Sequence, residues 1–591
     1  MIAELHPAAI LVVGGVLAFF LPGRLRQVWC VGLPVLGLVN MLGVQHGATA
    51  PVEFMGHHLE WLRVDKLSWL FGLLFHIAAV IAAIYSLHVK DRVQLGTAML
   101  YAGSAVGAVF AGDLLTLFVF WELLAVTSVF QVWGRRNPAA LGAGLRYLLV
   151  HVASGLLVLI GLAMHYRATG SLAFGHLGLE SEGGLLIFMG FGIKCAFPLV
   201  HTWLVDAYPA ATPSGALYLC SFTTKVAVYA MARGFAGEGV LIGIGALMAM
   251  FPIFYAVIEN DLRRVLGYSM INQIGFMMVG IGIGTPLALN GAVAHAFNDV
   301  LFKGLLFMSM GAVLYRTGKI NGSDLGGLYK SMPWTAGFCM VGAASISAFP
   351  LFSGFVSKSM VMSAAADGGM VWVWLALLFA AAGVFHHAGI KIPFFAFFAH
   401  DSGIRTKEAP WHMLLAMGLG AALCIGIGCF PQVLYGLLPW EADYHPYTIT
   451  HVLSQTQLLF FSALAFVSLM LLKIYPPELR SVNLDADWFW RKGGAGVLRA
   501  VDVCFNGLNR WAHAGMMRTV AWVSGWGGDA PARLVGRAAG GWYRLQGVAP
   551  AAREERAARL AQRCRDGGFR VGLMAGAAVL MVAAGILWFR R

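Results

Sequence analysis

Apolar stretches long enough to cross about 30 Å of hydrocarbon recur from near the first residue to near the last, and this recurrence restricts the chain to one broad class of fold. In lipid every backbone amide must find its partner inside the protein, so only helices and closed barrels span a bilayer. A transmembrane barrel would show strands of about ten residues with alternating polarity, and none are visible. The sequence therefore describes an all-α polytopic membrane protein. Composition agrees, with 59% of the 591 residues hydrophobic and 12% charged, against about 25% charged in soluble domains.

Sixteen spans are read. They cover 8–22, 28–44 and 66–88, with a polar loop at 45–65; 94–111, 113–133, 141–166, 184–206 and 213–234; 239–258, 262–284, 286–315, 334–366 and 370–398; and 411–430, 453–473 and 570–588. The first run has no basic leader or cleavage site and is read as a span, not a signal peptide. With the N-terminus outside, Arg24, Arg26, Lys90, Arg92, Arg135, Arg136, Arg263 and Arg264 fall on one face. The other face receives Arg63, Lys66, Arg167 and Arg233, so the first face is expected to be cytoplasmic. The chain divides into N-terminal helices in 1–93, five helices in 94–235, five in 236–400, two in 401–473, a basic segment in 474–569 and a last span in 570–591.

The basic segment interleaves tryptophan and charge, as in DADWFWRKGG and LNRWAHAGMMRTVAWVSGW, which reads as amphipathic helices in the cytoplasmic interface. AAREERAARLAQRCRDGG reads as a solvated helix, and Gly525, Gly527, Gly528, Pro531 and Pro550 argue against one continuous helix. Much of the formal charge of +13 lies in loops and in this tail, which fits lipid headgroups and not nucleic acid. Eight cysteines without a CxxC pair supply no zinc site or cluster, and no metal or cofactor is expected.

Charges inside the spans are the informative exceptions. A lysine at the bilayer centre costs about 2.5–3.5 kcal/mol on insertion scales, and such residues mark ion paths. FGIKCAFPLVHTWLVDAYPAATPSGALYLCSFTTK carries Lys194 before a break at Pro198 and Lys225 beyond Pro213. Glu122 lies mid-span in LTLFVFWELLAVTSVF, and Lys194 is its expected partner. His295, Asp299 and Lys303 follow one another every fourth residue and so form one stripe of a helix. His201 and Asp206 bracket Trp203, either as a relay at the cytoplasmic mouth or as caps of two broken helix ends. The second set of five repeats the theme: a span interrupted at Pro350 with Lys358, then a span with Lys391 near His386 and His387. Five is odd, so the two sets are expected to be inverted repeats around a midplane site.

These motifs resemble the antiporter-like family shared by Mrp-type multisubunit Na+/H+ antiporters and the membrane subunits of respiratory complex I. The likeness covers roughly 60–430 and rests on DLLTLFVFWELL, GIKCAFPLVHTWLVDAYPAATPSGAL, FTTKVAVYAMAR, HAFNDVLFKGLLF and FPLFSGFVSK. It implies a core of fourteen helices with helices seven and twelve broken. It also implies a Glu122–Lys194 pair, central carriers at Lys225 and His295, and a terminal lysine at Lys358. Asp299 and Lys225 are more similar to the D subunit of Mrp antiporters than to complex I forms, whereas the long basic tail departs from a D subunit.

The expected function is proton translocation within an antiporter assembly in the inner membrane, with other membrane subunits as partners and H+, with Na+ or K+, as cargo. The alternatives are a pump subunit of a complex I-like NADH:quinone oxidoreductase or membrane-bound hydrogenase, and a proton-coupled subunit of an inorganic-carbon uptake complex. In either, redox or carbon chemistry would belong to partners, because this chain has no cluster ligands or nucleotide motif of its own.

Overall fold

Helix follows apolar sequence through the first 471 residues. The structure, a computed structural model, describes residues 5–54, 56–480, 483–566, 579 and 581–582. The first helices are α1 (Pro7–Ala18), α2 (Gly23–Leu42), α3 (Lys66–Tyr85), α4 (Arg92–Phe110), α5 (Leu114–Trp133) and α6 (Pro138–Thr169). There follow α7 (Gly184–Lys194), α8 (Thr202–Ala210), α9 (Pro213–Ser221), α10 (Thr223–Gly234), α11 (Val240–Ile258), α12 (Leu262–Ile283) and α13 (Pro286–Thr317). The remainder of this part is α14 (Pro333–Ile346), α15 (Ser353–Asp367), α16 (Val371–Val384), the short α17 (Lys391–Pro393) between two π-helical turns, α18 (Trp411–Cys429), α19 (Gln432–Tyr435) and α20 (Ile449–Leu471). Among the described residues, eleven helical stretches are long and apolar enough to cross a membrane. The expected span at 570–588 lies outside the described residues apart from Val579, Met581 and Val582.

The two sets of five show matching construction. Helices α4 and α11 are both 19 residues long, and α6 and α13 both 32. One sequence offset relates Arg92 to Val240, Asp113 to Asp261, Pro138 to Pro286 and Thr169 to Thr317. The same offset relates the bridge between Asp113 and Ala173 to that between Asp261 and Asn321. Asp113 and Asp261 cap α5 and α12 by accepting from backbone amides of the first turn, which satisfies donors that a helix start leaves open.

The two breaks share the sequence Ala-Phe-Pro-Leu. Ala196 and Leu199 have φ of 61° and 72°, and Ala348 and Leu351 have 59° and 72°. A side chain in this left-handed region costs about 1–3 kcal/mol. The prolines, lacking an N–H, prevent the helix from running on. Phe197 N donates to Gly192 O at 3.0 Å and Phe349 N to Ala344 O at 3.1 Å, so each half-helix closes its last turn in the same way.

Three expectations are corrected. The polar loop at 45–65 contains an antiparallel hairpin, β1 (Thr49–Phe54) and β2 (His57–Arg63). It is anchored because Glu60 N donates to Asp113 Oδ2 at 3.0 Å and Gly112 N to Glu60 O at 2.8 Å. The polar segment after α20 does not separate at once from the helices before it: one compact unit ends at Asp487 and a second begins at Trp488. The second unit contains one long helical stretch instead of separate pieces. Helix α21 (Asp487–Val501) continues through a π turn into α22 (Gly507–Leu545), which runs through Gly525, Gly527, Gly528 and Pro531. Pro531 cannot bond the carbonyl one turn earlier, but Arg533 Nη2 donates to the neighbouring Trp526 O at 3.5 Å, and the surface position lets water serve the rest. Helix α23 (Pro550–Asp566) packs back on α22, with Gly536 facing Ala561 and Gly540 facing Ala557.

Backbone-to-backbone packing through small residues is how helices associate without a hydrophobic driving force between them. Gly245 of α11 faces Gly275 and Val279 of α12, and Gly275 in turn faces Gly245 and Ala249. Gly275→Val should therefore overpack this contact by about 1–3 kcal/mol, lowering the thermal midpoint of the purified protein. The same change at the exposed Gly243, which has open space around it, should leave the midpoint nearly unchanged.

Candidate functional site, a row of buried charges

The charged residues inside the helices lie deep in the protein. Lys194, Lys225, His295, Asp299, Lys303 and Lys391 are 0% exposed and Lys358 is 2% exposed. Each cation of this group has found negative or partly negative atoms.

Lys225 and Asp299 form the central contact, with Nζ 2.5 Å from Oδ2. Helix α10 begins only two residues before Lys225, after an irregular Phe222, and α13 carries Asp299 on its wholly buried middle. On the same helix His295 points elsewhere, its Nδ1 3.0 Å from Ser357 Oγ and its Nε2 3.2 Å from Gln273 Oε1. Lys303 Nζ donates to Ser269 Oγ at 2.7 Å. The stripe read from the sequence is thus three groups on one helix with three separate partners. The acid in it serves Lys225, on another helix.

Lys194 ends α7, directly before the break. Its Nζ donates to Trp121 O at 2.6 Å and stands 4.2 Å over the Trp121 ring, a favourable place for a cation. The expected Glu122–Lys194 ion pair is not closed in this structure. Glu122 Oε1 is buried without a hydrogen-bond partner and packs against Gly155 of α6, where a methyl group would overlap it.

Lys358 and Lys391 rest on helix-end carbonyls. Lys358 Nζ donates to Ile346 O at 2.6 Å, an oxygen at the end of α14, and stands 5.3 Å from the Phe276 ring. Lys391 Nζ meets the C-terminal end of α11 through Ala256 O at 3.2 Å, Val257 O at 2.7 Å and Glu259 O at 2.6 Å. Such carbonyls carry the negative end of the helix dipole. Tyr229 OH donates to Val109 O at 2.5 Å, and the offset between the two sets relates Val109 to Val257. Tyr229 in the first set and Lys391 in the second thus bond carbonyls that the offset relates.

His201 and Asp206 each have a partner on another segment. Asp206 pairs with Arg146 at 2.7 Å, whereas His201 Nε2 lies 3.1 Å from Asp485 Oδ1. Tyr268 OH donates to the same carboxylate at 2.7 Å. His387, which the sequence placed beside Lys391, is buried with both ring nitrogens unpartnered, and the His386 ring stacks on Tyr475 at 5.5 Å.

Sequence reasoning missed the acids that complete these contacts from the segment after α20. Glu478 Oε1 lies 3.0 Å from Lys391 Nζ, and Asn483 donates to Glu259 Oε2 at 3.2 Å. Burial pushes the Glu478 carboxyl above its ordinary range, against the pull of the Lys391 ammonium. Burial works in the same direction on Asp485, but the hydrogen bonds from His201 and Tyr268 prevail and hold its carboxyl below its ordinary range. The only signal in the sequence was acids spaced along an otherwise basic stretch.

Two outcomes follow from the geometry. Removing one member of a buried pair strands the other, so Asp299→Ala should cost about 3–5 kcal/mol of stability, read as a lower thermal midpoint. Lys225→Met combined with Asp299→Leu should recover most of that loss. Gly155→Ala would overlap the Glu122 carboxyl and should push it off its seat, lowering the thermal midpoint by more than Gly155→Ala does in a Glu122→Ala background, where the overlapping atoms are gone.

Comparison with known proteins agrees with this architecture. Residues 111–385 match the family model described as NADH:quinone oxidoreductase/Mrp antiporter, TM. Hydrogenase-4 component B of Escherichia coli (strain K12) is 29% identical over 412 residues, covering 62% of this chain and 61% of that protein. The A subunit of the Na(+)/H(+) antiporter of Alkalihalophilus pseudofirmus is 30% identical over 427 residues, covering 63% of this chain and 52% of that protein. In the structure of the Mrp complex from Dietzia sp. DQ12-45-1b, one chain superposes with a TM-score of 0.74 at 25% identity, covering 88% of this chain and 62% of that one. This chain thus spans less than two thirds of the length of each of these relatives. On the matched region, the shared helices and the fold, the chain is similar to the antiporter-like, multi-pass membrane subunits found in Mrp antiporters and NADH:quinone oxidoreductases.

Proposed function

We propose that this protein is the proton-translocating membrane subunit of a multisubunit monovalent cation/proton antiporter. The observation that carries this reading is the Lys225–Asp299 ion pair, fully buried between two helices, flanked by further buried cations on either side. Structural glue of this kind is made far more cheaply from Ser, Thr and Gly. The 94–235 and 236–400 sets are then inverted repeats within a chain of sixteen spans. The N-terminus lies outside an inner membrane and 474–569 on the cytoplasmic side.

In this scheme Glu122 is the switch. While its carboxylate faces Lys194 across the low-dielectric interior, the ammonium is supported, since opposite charges interact strongly there. When the carboxylate turns to its seat at Gly155, Lys194 keeps only Trp121, and its proton leaves toward Lys225. The Lys225–Asp299 pair opens to receive it. The charge then passes His295, whose two ring nitrogens hold Gln273 and Ser357, toward Lys303, Lys358 and Lys391. Asp485 and His201 form the exchange point with the cytoplasm, in place of the expected His201–Asp206 relay. Other membrane subunits of the assembly complete the cation path.

A second reading is supported by the likeness to the hydrogenase-4 component: the same row serves as the pump of a redox-driven complex whose clusters lie in partner subunits. Copurifying subunits separate the two, small membrane proteins alone favouring the antiporter and iron–sulfur proteins the pump. Under either reading Lys194→Ala and Glu122→Ala should abolish ion- or redox-coupled pH gradients in vesicles while the protein still inserts and assembles. Undiminished acidification in those variants would sink the scheme.

A further inference from the structure

Between Lys194 and Lys225 lies a set of side chains that the scheme above leaves unused. Four hydroxyls from four helices form a continuous hydrogen-bonded chain. Ser128 Oγ lies 2.8 Å from Tyr147 OH, which lies 3.2 Å from Thr223 Oγ1, which lies 2.5 Å from Tyr101 OH. All four residues are 0% exposed. Tyr101 OH also accepts from Thr223 N at 3.1 Å, so the chain is fixed to the first residue of α10, two positions before Lys225.

A histidine packs against the Tyr147 ring without being hydrogen-bonded to the chain. His151 follows Tyr147 by one turn of α6, its ring centroid 4.1 Å from that of Tyr147 and 4.5 Å from that of Trp203. Trp203 Nε1 donates to Ile193 O at 2.9 Å, the residue before Lys194. His151 is 0% exposed, and among the described residues neither of its ring nitrogens has a hydrogen-bond partner. Leaving a buried polar group unpaired costs about 1–3 kcal/mol, so an imidazole whose only task was packing would be replaced at a gain by an apolar ring. Hydroxyls that merely joined helices would have no need of a titratable neighbour set between two lysines.

We propose that His151, Tyr147 and Thr223 form a proton relay from Lys194 to the Lys225–Asp299 pair; this rests on the function proposed above. A ring nitrogen of His151 takes the proton that Lys194 releases, directly or over a water, and the imidazolium gives up the proton on its other nitrogen to Tyr147 O. Tyr147 passes its own hydroxyl proton to Thr223 Oγ1. Thr223, which is two positions from Lys225 and so faces another side of α10, passes its own over a water to the Asp299 carboxylate or to Lys225 as a free amine. Each hydroxyl ends with one proton, as it began; a proton has moved from Lys194 to the pair, and His151 is left as its other tautomer, which a turn of the ring or of the bonded protons resets before the next transfer. Ser128 and Tyr101 orient the two central hydroxyls without carrying the proton.

The test uses the intact complex in proteoliposomes, comparing Tyr147→Phe, which keeps the ring, with His151→Gln and with Lys194→Ala. The expected result is that Tyr147→Phe and His151→Gln each lower proton flux about tenfold or more and change its solvent deuterium isotope effect, with assembly unaltered. Normal flux and an unchanged isotope effect in Tyr147→Phe, alongside loss of flux in Lys194→Ala, would overturn the relay and leave the proposed function standing. Normal flux in Lys194→Ala would overturn the function itself. Should His151→Gln fail to assemble, Tyr147→Phe decides alone, since only one oxygen has been removed.

Discussion

An ammonium buried among hydrocarbon must be surrounded by negative charge, and in this protein most of that charge comes from the backbone. Lys194 leans on a carbonyl of α5, Lys358 on the last carbonyl of α14 and Lys391 on three at the end of α11. Among these buried lysines, only Lys225 and Lys391 contact a carboxylate of the described residues closely. Carbonyl oxygens stabilise a positive charge without becoming protonated themselves, so they hold a cation in place without competing for its proton. Carboxylates do compete. Asp299 and Glu122 are the acids set among the buried lysines of the spans, and Glu122 stands apart from its neighbouring cation.

The interruptions of the helices supply much of this carbonyl charge. A continuous helix would bond the end carbonyls of α14 to amides one turn on. Breaking it at Pro350 frees Ile346 O for Lys358, and the equivalent break at Pro198 leaves Lys194 at a helix terminus. Four non-glycine residues in left-handed conformation maintain the two breaks, and backbone strain of this kind persists where surrounding packing fixes it. Local structure and charge are therefore one arrangement: the same four-residue sequence bends the chain and positions the lysine nearby.

The sequence made the helical, membrane-spanning character of the chain legible because apolar length marks a transmembrane helix, and it located the buried charges because each interrupts an apolar run. It did not reveal which charges meet. Asp299 reads as a neighbour of His295 and Lys303 along one helix, but its partner Lys225 lies on a helix far away in sequence. Glu478 and Asp485 stand in a basic, polar stretch whose composition resembles any surface segment, and only tertiary contact shows them facing Lys391 and His201. The hairpin at 49–63 was hidden because two short strands around Gly56 lack the length that marks a span. Helix α22 runs through Pro531 because a surface helix can leave the freed carbonyl to water.

The single offset that relates α5 and α6 to α12 and α13 has one further consequence. It matches Gly155, the seat of Glu122, with Lys303, and Trp121 with Ser269, on which Lys303 rests. Corresponding slots of two similarly built halves thus hold an acid in one and a base in the other. Alike in backbone, the two halves are therefore not interchangeable at this position, where one seats a carboxylate and the other an ammonium.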